Sequence, residues 1–336
     1  MNDLPVWFEV GTFVVLGVIL VADLLLVVKR PHEPSVRESS LWVSFYVGLA
    51  IVFAILMFNF TGPQYGQEFV AGWLTEYSLS IDNLFIFILI MTRFKVPRRY
   101  QQEVLMIGIL IALVLRGIFI ALGAVVIEHF SPIFYIFGLF LLWTAWHQLR
   151  SEEESEHVGD NTVVRWARRV LPISDSYEGG RFRTTVNGKK MFTPLIVVIL
   201  ALGMTDLMFA IDSIPAIFGL TQQWFIVLTA NIFALMGLRQ LYFLLGGLLT
   251  RLIYLKYALS FILAFIGVKL IIQAMHENEL PFLNGGEPIT FLPKIETTFS
   301  LAVIASAILI ATVASLIVSR RRERQSDAID ANNGNS

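Results

Sequence analysis

The chain has 336 residues, of which 56% are hydrophobic and 15% charged, with a formal net charge of −1 and a mean hydropathy of +0.70. Soluble globular proteins carry about 25% charged residues, so the composition excludes an ordinary water-soluble domain, and no nucleic-acid partner is expected. The absence of cysteine excludes a disulfide framework, a thiolate metal site and a cysteine nucleophile.

A bilayer core needs about 20 apolar residues per helix. Nine runs qualify, at roughly 7–28, 41–60, 69–92, 104–127, 132–149, 193–218, 224–246, 256–274 and 298–319. The first is longer than a signal-peptide core, with no basic stretch before it and no A-x-A site after it, so it reads as a membrane span. The expected fold is all-α: a polytopic membrane domain over 1–319 and a disordered cytoplasmic tail over 320–336.

Basic residues fall on alternate loops. Lys29, Arg30 and Arg37 follow the first run; Arg93, Lys95, Arg98 and Arg99 follow the third. The 150–192 segment holds Arg150, Arg165, Arg168, Arg169, Arg181, Arg183, Lys189 and Lys190; Arg251 and Lys256 follow the seventh run, and Arg320, Arg321, Arg322 and Arg324 the ninth. The positive-inside rule then puts the N-terminus outside and the C-terminus in the cytoplasm. Residues 150–192 become a cytoplasmic loop whose acidic start (Glu152, Glu153, Glu154, Glu156) reads as a solvated face.

The third and sixth runs carry matching polar patterns, Glu76-x5-Asp82-Asn83 and Asp206-x5-Asp212-Ser213. The next run of each group has an arginine seven residues before a glycine: Arg116 and Gly123, Arg239 and Gly246. Gly138 and His147 match Gly267 and His276 at equal spacing. Runs three to five thus resemble runs six to eight, and the loop charges orient the two groups oppositely. Inverted repeats of this kind hold the ion site of many secondary transporters near the midplane.

A carboxylate at a helix centre costs roughly 2.5–3.5 kcal/mol on insertion scales, so Glu76, Asp82, Asp206 and Asp212 require compensation. Residues seven apart share a helix face, which puts Ser80 and Asn83 on the Glu76 stripe and Ser213 on the Asp206 stripe, with Thr205 beside Asp212. The second acid of each pair sits six residues on, about 120° around the helix. Pro215 removes a backbone donor and can bend the sixth run there. Arg116 and Arg239 are the expected charge partners. Four carboxylates and two arginines leave a deficit equal to one divalent cation, smaller by one charge if Lys269 faces the same site. All five histidines, His32, His129, His147, His157 and His276, lie near run ends or in loops. Carboxylate, Asn, Ser and Thr oxygens, with Asn231 as a further donor, suit Mn, Mg or Ca. Asp23, near an end of the first run, reads as structural. No His-Glu-x-x-His or Gly-x-Ser-x-Gly motif supports an enzyme.

The segments 76–87 (EYSLSIDNLFIF), 209–218 (FAIDSIPAIF), 229–243 (TANIFALMGLRQLYF) and 265–270 (FIGVKL) resemble the TerC family, integral membrane proteins named for tellurium resistance, within the LysE superfamily. The family pattern often has Lys where Tyr77 stands. The resemblance covers about 70–319. It implies a bacterial inner-membrane protein of the Alx type linked to manganese export and metal homeostasis, with the family's intramembrane acids at Glu76, Asp82, Asp206 and Asp212. The main expectation is export of Mn(II), with no resident cofactor. A Ca(II)/proton exchanger and a tellurite-resistance or envelope-stress scaffold without flux stay open beside it. The expected partners are the cation, the lipid bilayer and further copies or a membrane complex.

Overall fold

The computed structural model describes residues 5–29, 34–130, 132–150, 172–174, 182–186, 189–245, 254–278, 280–281 and 283–333. The acidic run 152–156, the basic residues of 151–171, Arg181, Arg251, Gly246, His32 and His157 lie outside them.

The described chain is helical: α1 (Val6–Lys29), α2 (Val36–Phe60), α3 (Pro63–Arg93), α4 (Arg98–His129), α5 (Ile133–Arg150), α6 (Pro194–Phe218), α7 (Trp224–Met236), α8 (Leu238–Leu245), α9 (Leu255–His276) and α10 (Thr297–Asn333). The starts have local causes. Ser35 caps α2 by accepting from the Glu38 N–H at 3.2 Å, the first half of a capping box. Pro63 and Pro194 open α3 and α6 at a position where no backbone donor is needed.

Among the described residues, eight stretches are long and apolar enough to cross a bilayer: α1, α2, α3, α4, α6, the α7–α8 pair, α9 and Thr297–Ser319 of α10. The remaining expected span is α5, with 18 residues; at about 27 Å it nearly matches a bilayer core, but Trp143, Trp146, His147, Gln148 and Arg150 make its second half polar. Large apolar side chains such as Val14, Val52, Leu122, Leu139, Phe261 and Leu309 face outward, as a surface bathed in lipid requires.

The expected run 224–246 is the α7–α8 pair, one stretch of spanning length with a local interruption at Gly237. The segment 320–333 is not disordered but prolongs α10; its Arg, Glu and Gln residues extend an existing helix without a new nucleus. Within the 150–192 loop, β1 (Arg183–Val186) and β2 (Lys189–Phe192) pair antiparallel, with Arg183 opposite Phe192. The Asn187-Gly188 dipeptide between them in the sequence is a hairpin signal.

The packing has the exchange that two related three-helix units produce. α3 lies on α7 and α4 on α6, while the equivalent helices α3 and α6, α4 and α7, and α5 and α9 also touch. At the α5–α9 contact the equivalent glycines meet face to face. A Cβ at Gly138 would fall 2.8 Å from the Gly267 carbonyl oxygen, and a Cβ at Gly267 would fall 2.9 Å from that of Gly138. Gly138→Leu is therefore expected to force α5 off α9 and destabilise the bundle by about 1–3 kcal/mol or more, read as a lower melting temperature of the purified protein. Gly117, which has open space around it, is the control position.

A candidate ion site around Arg116

Two contacts set the levels of the helices. Gly72 of α3 abuts Ile217 of α6, its added Cβ falling 3.3 Å from that side chain. At the other end Phe87 and Ile90 of α3 share a core with Leu195 and Val198 of α6. The two helices are thus antiparallel, and Glu76 comes level with Ser213 while Asn83 comes level with Asp206. Gly108 against Leu202 and Gly123 against Phe218 run α4 parallel to α6 and bring Arg116 midway between these two levels.

Arg116 has 0% relative exposure. Its Nε and Nη2 donate to Asp206 Oδ2 and Oδ1, both at 2.9 Å. Its Nη1 donates to Glu76 Oε1 and to Asn231 Oδ1 at 2.9 Å. Ser80 adds its hydroxyl to Glu76 Oε1 at 3.3 Å. One guanidinium therefore joins α3, α4, α6 and α7. A buried ion pair repays the removal of its charges from water only with good geometry and further hydrogen bonds, and the bidentate fork on Asp206 supplies both.

Several buried polar atoms at these two levels have no hydrogen-bond partner among the described residues: Glu76 Oε2, Asn83 Nδ2 and Ser213 Oγ. An orphaned buried polar group costs about 1–3 kcal/mol. Their grouping on facing stretches of α3 and α6 marks a place for a ligand or water. Thr205 is buried beside Asp206. Asp82 is partly buried and accepts from Gln148 Nε2 at 3.4 Å, and Gln148 Oε1 in turn accepts from Ser260, which ties α3 to α5 and α9. Asp212 is partly buried and lies close enough to Arg116 and Asp82 for their charges to act on it.

Glu76 and Asp206 hold Arg116, Asp212 lies near it and Asp82 is tied to Gln148, so the four acids do not meet at one point. Among the described residues no group of three or more His, Cys, Asp or Glu side chains is arranged to hold a metal ion. The expected convergence of Glu76, Asp82, Asp206 and Asp212 on a single cation is therefore not present in this conformation. Six residues along a helix is a rise of about 9 Å and a turn of about 120°, and Arg116 occupies the space between the inner carboxylates.

Arg239 does not share the role of Arg116. Its Nη2 donates to Asp23 Oδ1 of α1 at 2.7 Å, and its Nη1 approaches Met106 Sδ. Equal spacing in the two repeats led to the expectation that both arginines serve the acids. The correction arises because α1, which lies outside the repeat, supplies the carboxylate for the second one. His129, His147 and His276 fall in the last turns of their helices. Sequence reasoning missed the Asn231–Arg116 bond, the Gln148–Asp82 bond and the partnership of Asp23.

The TerC integral membrane protein family model matches residues 61–323. An uncharacterized membrane protein of Mycobacterium tuberculosis is 44% identical over 321 residues, covering 94% of this chain and 81% of its own length. One of Myxococcus xanthus is 38% identical over 301 residues, 90% of this chain and 89% of its own. Escherichia coli Alx, named as a candidate membrane-bound redox modulator, is 39% identical over 271 residues, 78% of this chain and 84% of its own. No solved structure matches. With the family model matching more than three quarters of its length, the chain belongs to the TerC family of integral membrane proteins.

Proposed function

We propose that this protein exports a divalent cation, Mn(II) in the first instance, across the bacterial inner membrane. The observation that carries the reading is the Arg116 bridge between Glu76 and Asp206 with unpartnered oxygens of Glu76 and Ser213 beside it. A guanidinium there is a resident positive charge that an incoming cation displaces. Because Arg239 is committed to Asp23, the four acids face one arginine rather than two. If all four are ionised, a divalent cation leaves the group nearer neutrality than Arg116 alone does. The donors are carboxylates, an amide and hydroxyls, a set for hard cations. Movement of one repeat against the other would present Glu76 with Asp212 and Asp206 with Asp82 in turn.

The chain has no cysteine, so a redox-modulating role like that in the name of the E. coli relative would have to act here through the cation rather than through thiol exchange. A Ca(II)/proton exchanger and a scaffold without flux are the outcomes that the transport measurement at the end of the Discussion separates. No resident cofactor and no enzymatic step enter this reading.

The charge on alternate loops orients the proposal, with the N-terminus and the α6–α7 loop outside and the C-terminus in the cytoplasm. Single cysteines at Thr61, Ser131 and Gln222 are then expected to react with an impermeant thiol reagent added to intact cells, while one at Ser151 stays unlabelled until the membrane is permeabilised. Ser131 and Ser151 lie outside the described residues; Gln222 is exposed. Labelling of Ser151→Cys from outside would reverse the orientation.

A further inference from the structure

A second carboxylate is buried in α3, away from the Arg116 site. Glu68 has 6% relative exposure, and both of its oxygens are engaged. Thr221, in the α6–α7 loop, donates to Oε2 at 2.6 Å, and Gln64 donates to Oε1 at 3.0 Å. Lys269 of α9, also buried at 8%, is close enough for its charge to act on Glu68. A lysine free to follow its stem to an interface snorkels; this one is buried instead.

Glu68, Gly72 and Glu76 follow one another at four-residue steps, so they lie along one face of α3. Glu68 stands about 12 Å from Glu76 along the axis, toward the end where α3 begins. Between them the face is closed by apolar atoms: an added Cβ at Gly72 would sit 3.3 Å from Ile217 and 3.5 Å from Ala230. The order along α3 is therefore carboxylate, apolar constriction, carboxylate.

The repeat gives this pair no partner at the other end. The spacing that relates Glu76 to Asp206 relates Glu68 to Val198, and the spacing that relates Gly138 to Gly267 relates Phe140 to Lys269. Both counterparts are apolar. Two inverted halves alone would make the two ends of the pathway alike; Glu68 and Lys269 make them different.

We infer that Glu68 is a relay station for the cation at the end of the bundle where α3 starts, and that Lys269 is the charge that expels the cation from it. This rests on the transport reading above. The Glu68 carboxylate draws the ion past Gly72 once the helices part, and the neighbouring ammonium keeps its hold weak. A site that binds too well cannot release. The pair then sets the release end, which under the proposed orientation is the extracytoplasmic one.

The test uses full-length protein, Mn2+ as the probe, equilibrium binding in detergent and flux in liposomes. Glu68→Gln is expected to lower the initial Mn2+ flux about tenfold while equilibrium binding at the Arg116 site changes less than about twofold. Lys269→Met, which keeps the stem and removes the charge, is expected to slow release and tighten binding, and the double variant is expected to transport better than Lys269→Met alone. Thr221→Val, a small change beside Glu68, is expected to lower flux in the same sense and covers the case in which Glu68→Gln fails to fold. Wild-type flux in Glu68→Gln, or in Thr221→Val where Glu68→Gln is lost, would overturn the relay and leave the transport reading standing. A folded parent that moves no divalent cation would overturn both.

Discussion

Asp206→Asn is expected to abolish relief of manganese toxicity in an exporter-deficient strain while the protein still reaches the membrane. The substitution keeps the volume and removes one charge, so it tests charge rather than packing. In the structure Asp206 takes two of the donors of Arg116. An asparagine can accept from one of them, so the arginine stays held and the fold is kept. The loss falls on the cation, which meets one carboxylate fewer at a site whose affinity follows ligand charge. The expected decrease in Mn2+ affinity is about 100-fold, measured by titration of the purified protein. Glu76→Gln is expected to behave alike, since Glu76 holds the other side of the same guanidinium.

Arg116→Leu has the largest expected effect on stability. Removing the guanidinium leaves Glu76 and Asp206 buried without their charge partner, and breaking a buried pair in this way costs about 3–5 kcal/mol. The variant should therefore be poorly expressed or melt many degrees below the parent in ordinary buffer. If Arg116 stands where a cation can stand, Mn2+ should restore part of the lost stability, because a ligand that binds only the folded state stabilises it. The rise in melting temperature on adding Mn2+ should be larger for Arg116→Leu than for the parent. A variant equally unstable with and without Mn2+, Ca2+ or Mg2+ would make Arg116 a structural residue alone. Arg239→Leu is expected to differ: its partner is Asp23, so Mn2+ should not rescue it.

What the sequence revealed depended on whether a feature was local or repeated. The helices of the bundle follow from apolar runs of bilayer length. The importance of Glu76, Asp206 and Arg116 follows from charges placed at equal positions in apolar segments, where each must have a partner. The identity of the partner was legible only in part. Arg116 and Arg239 look equivalent in spacing, yet one meets two acids and the other meets Asp23. Nothing in the repeat encodes α1, and an aspartate near a helix end looks like a headgroup contact until the fold turns it inward. Asn231 was visible as a polar residue in a buried helix, but its bond to Arg116 depends on how α7 seats against α4. Glu68 stands at the edge of an apolar run, and nothing local marks it, because its hydrogen-bond partner, Thr221, is 153 residues away. The break at Gly237 and the helical extension past Ser319 are changes in backbone course that hydropathy does not resolve.

We propose above that Glu76, Asp82, Asp206 and Asp212 serve a transported cation. The most direct measurement is Mn2+ flux into liposomes holding the purified parent or its Glu76→Gln, Asp82→Asn, Asp206→Asn and Asp212→Asn variants. Saturable Mn2+ movement by the parent, and its loss in each variant that still folds, is the expected result. Flux in all four variants equal to the parent, or a folded parent that moves neither Mn2+ nor Ca2+ nor Mg2+, would contradict it.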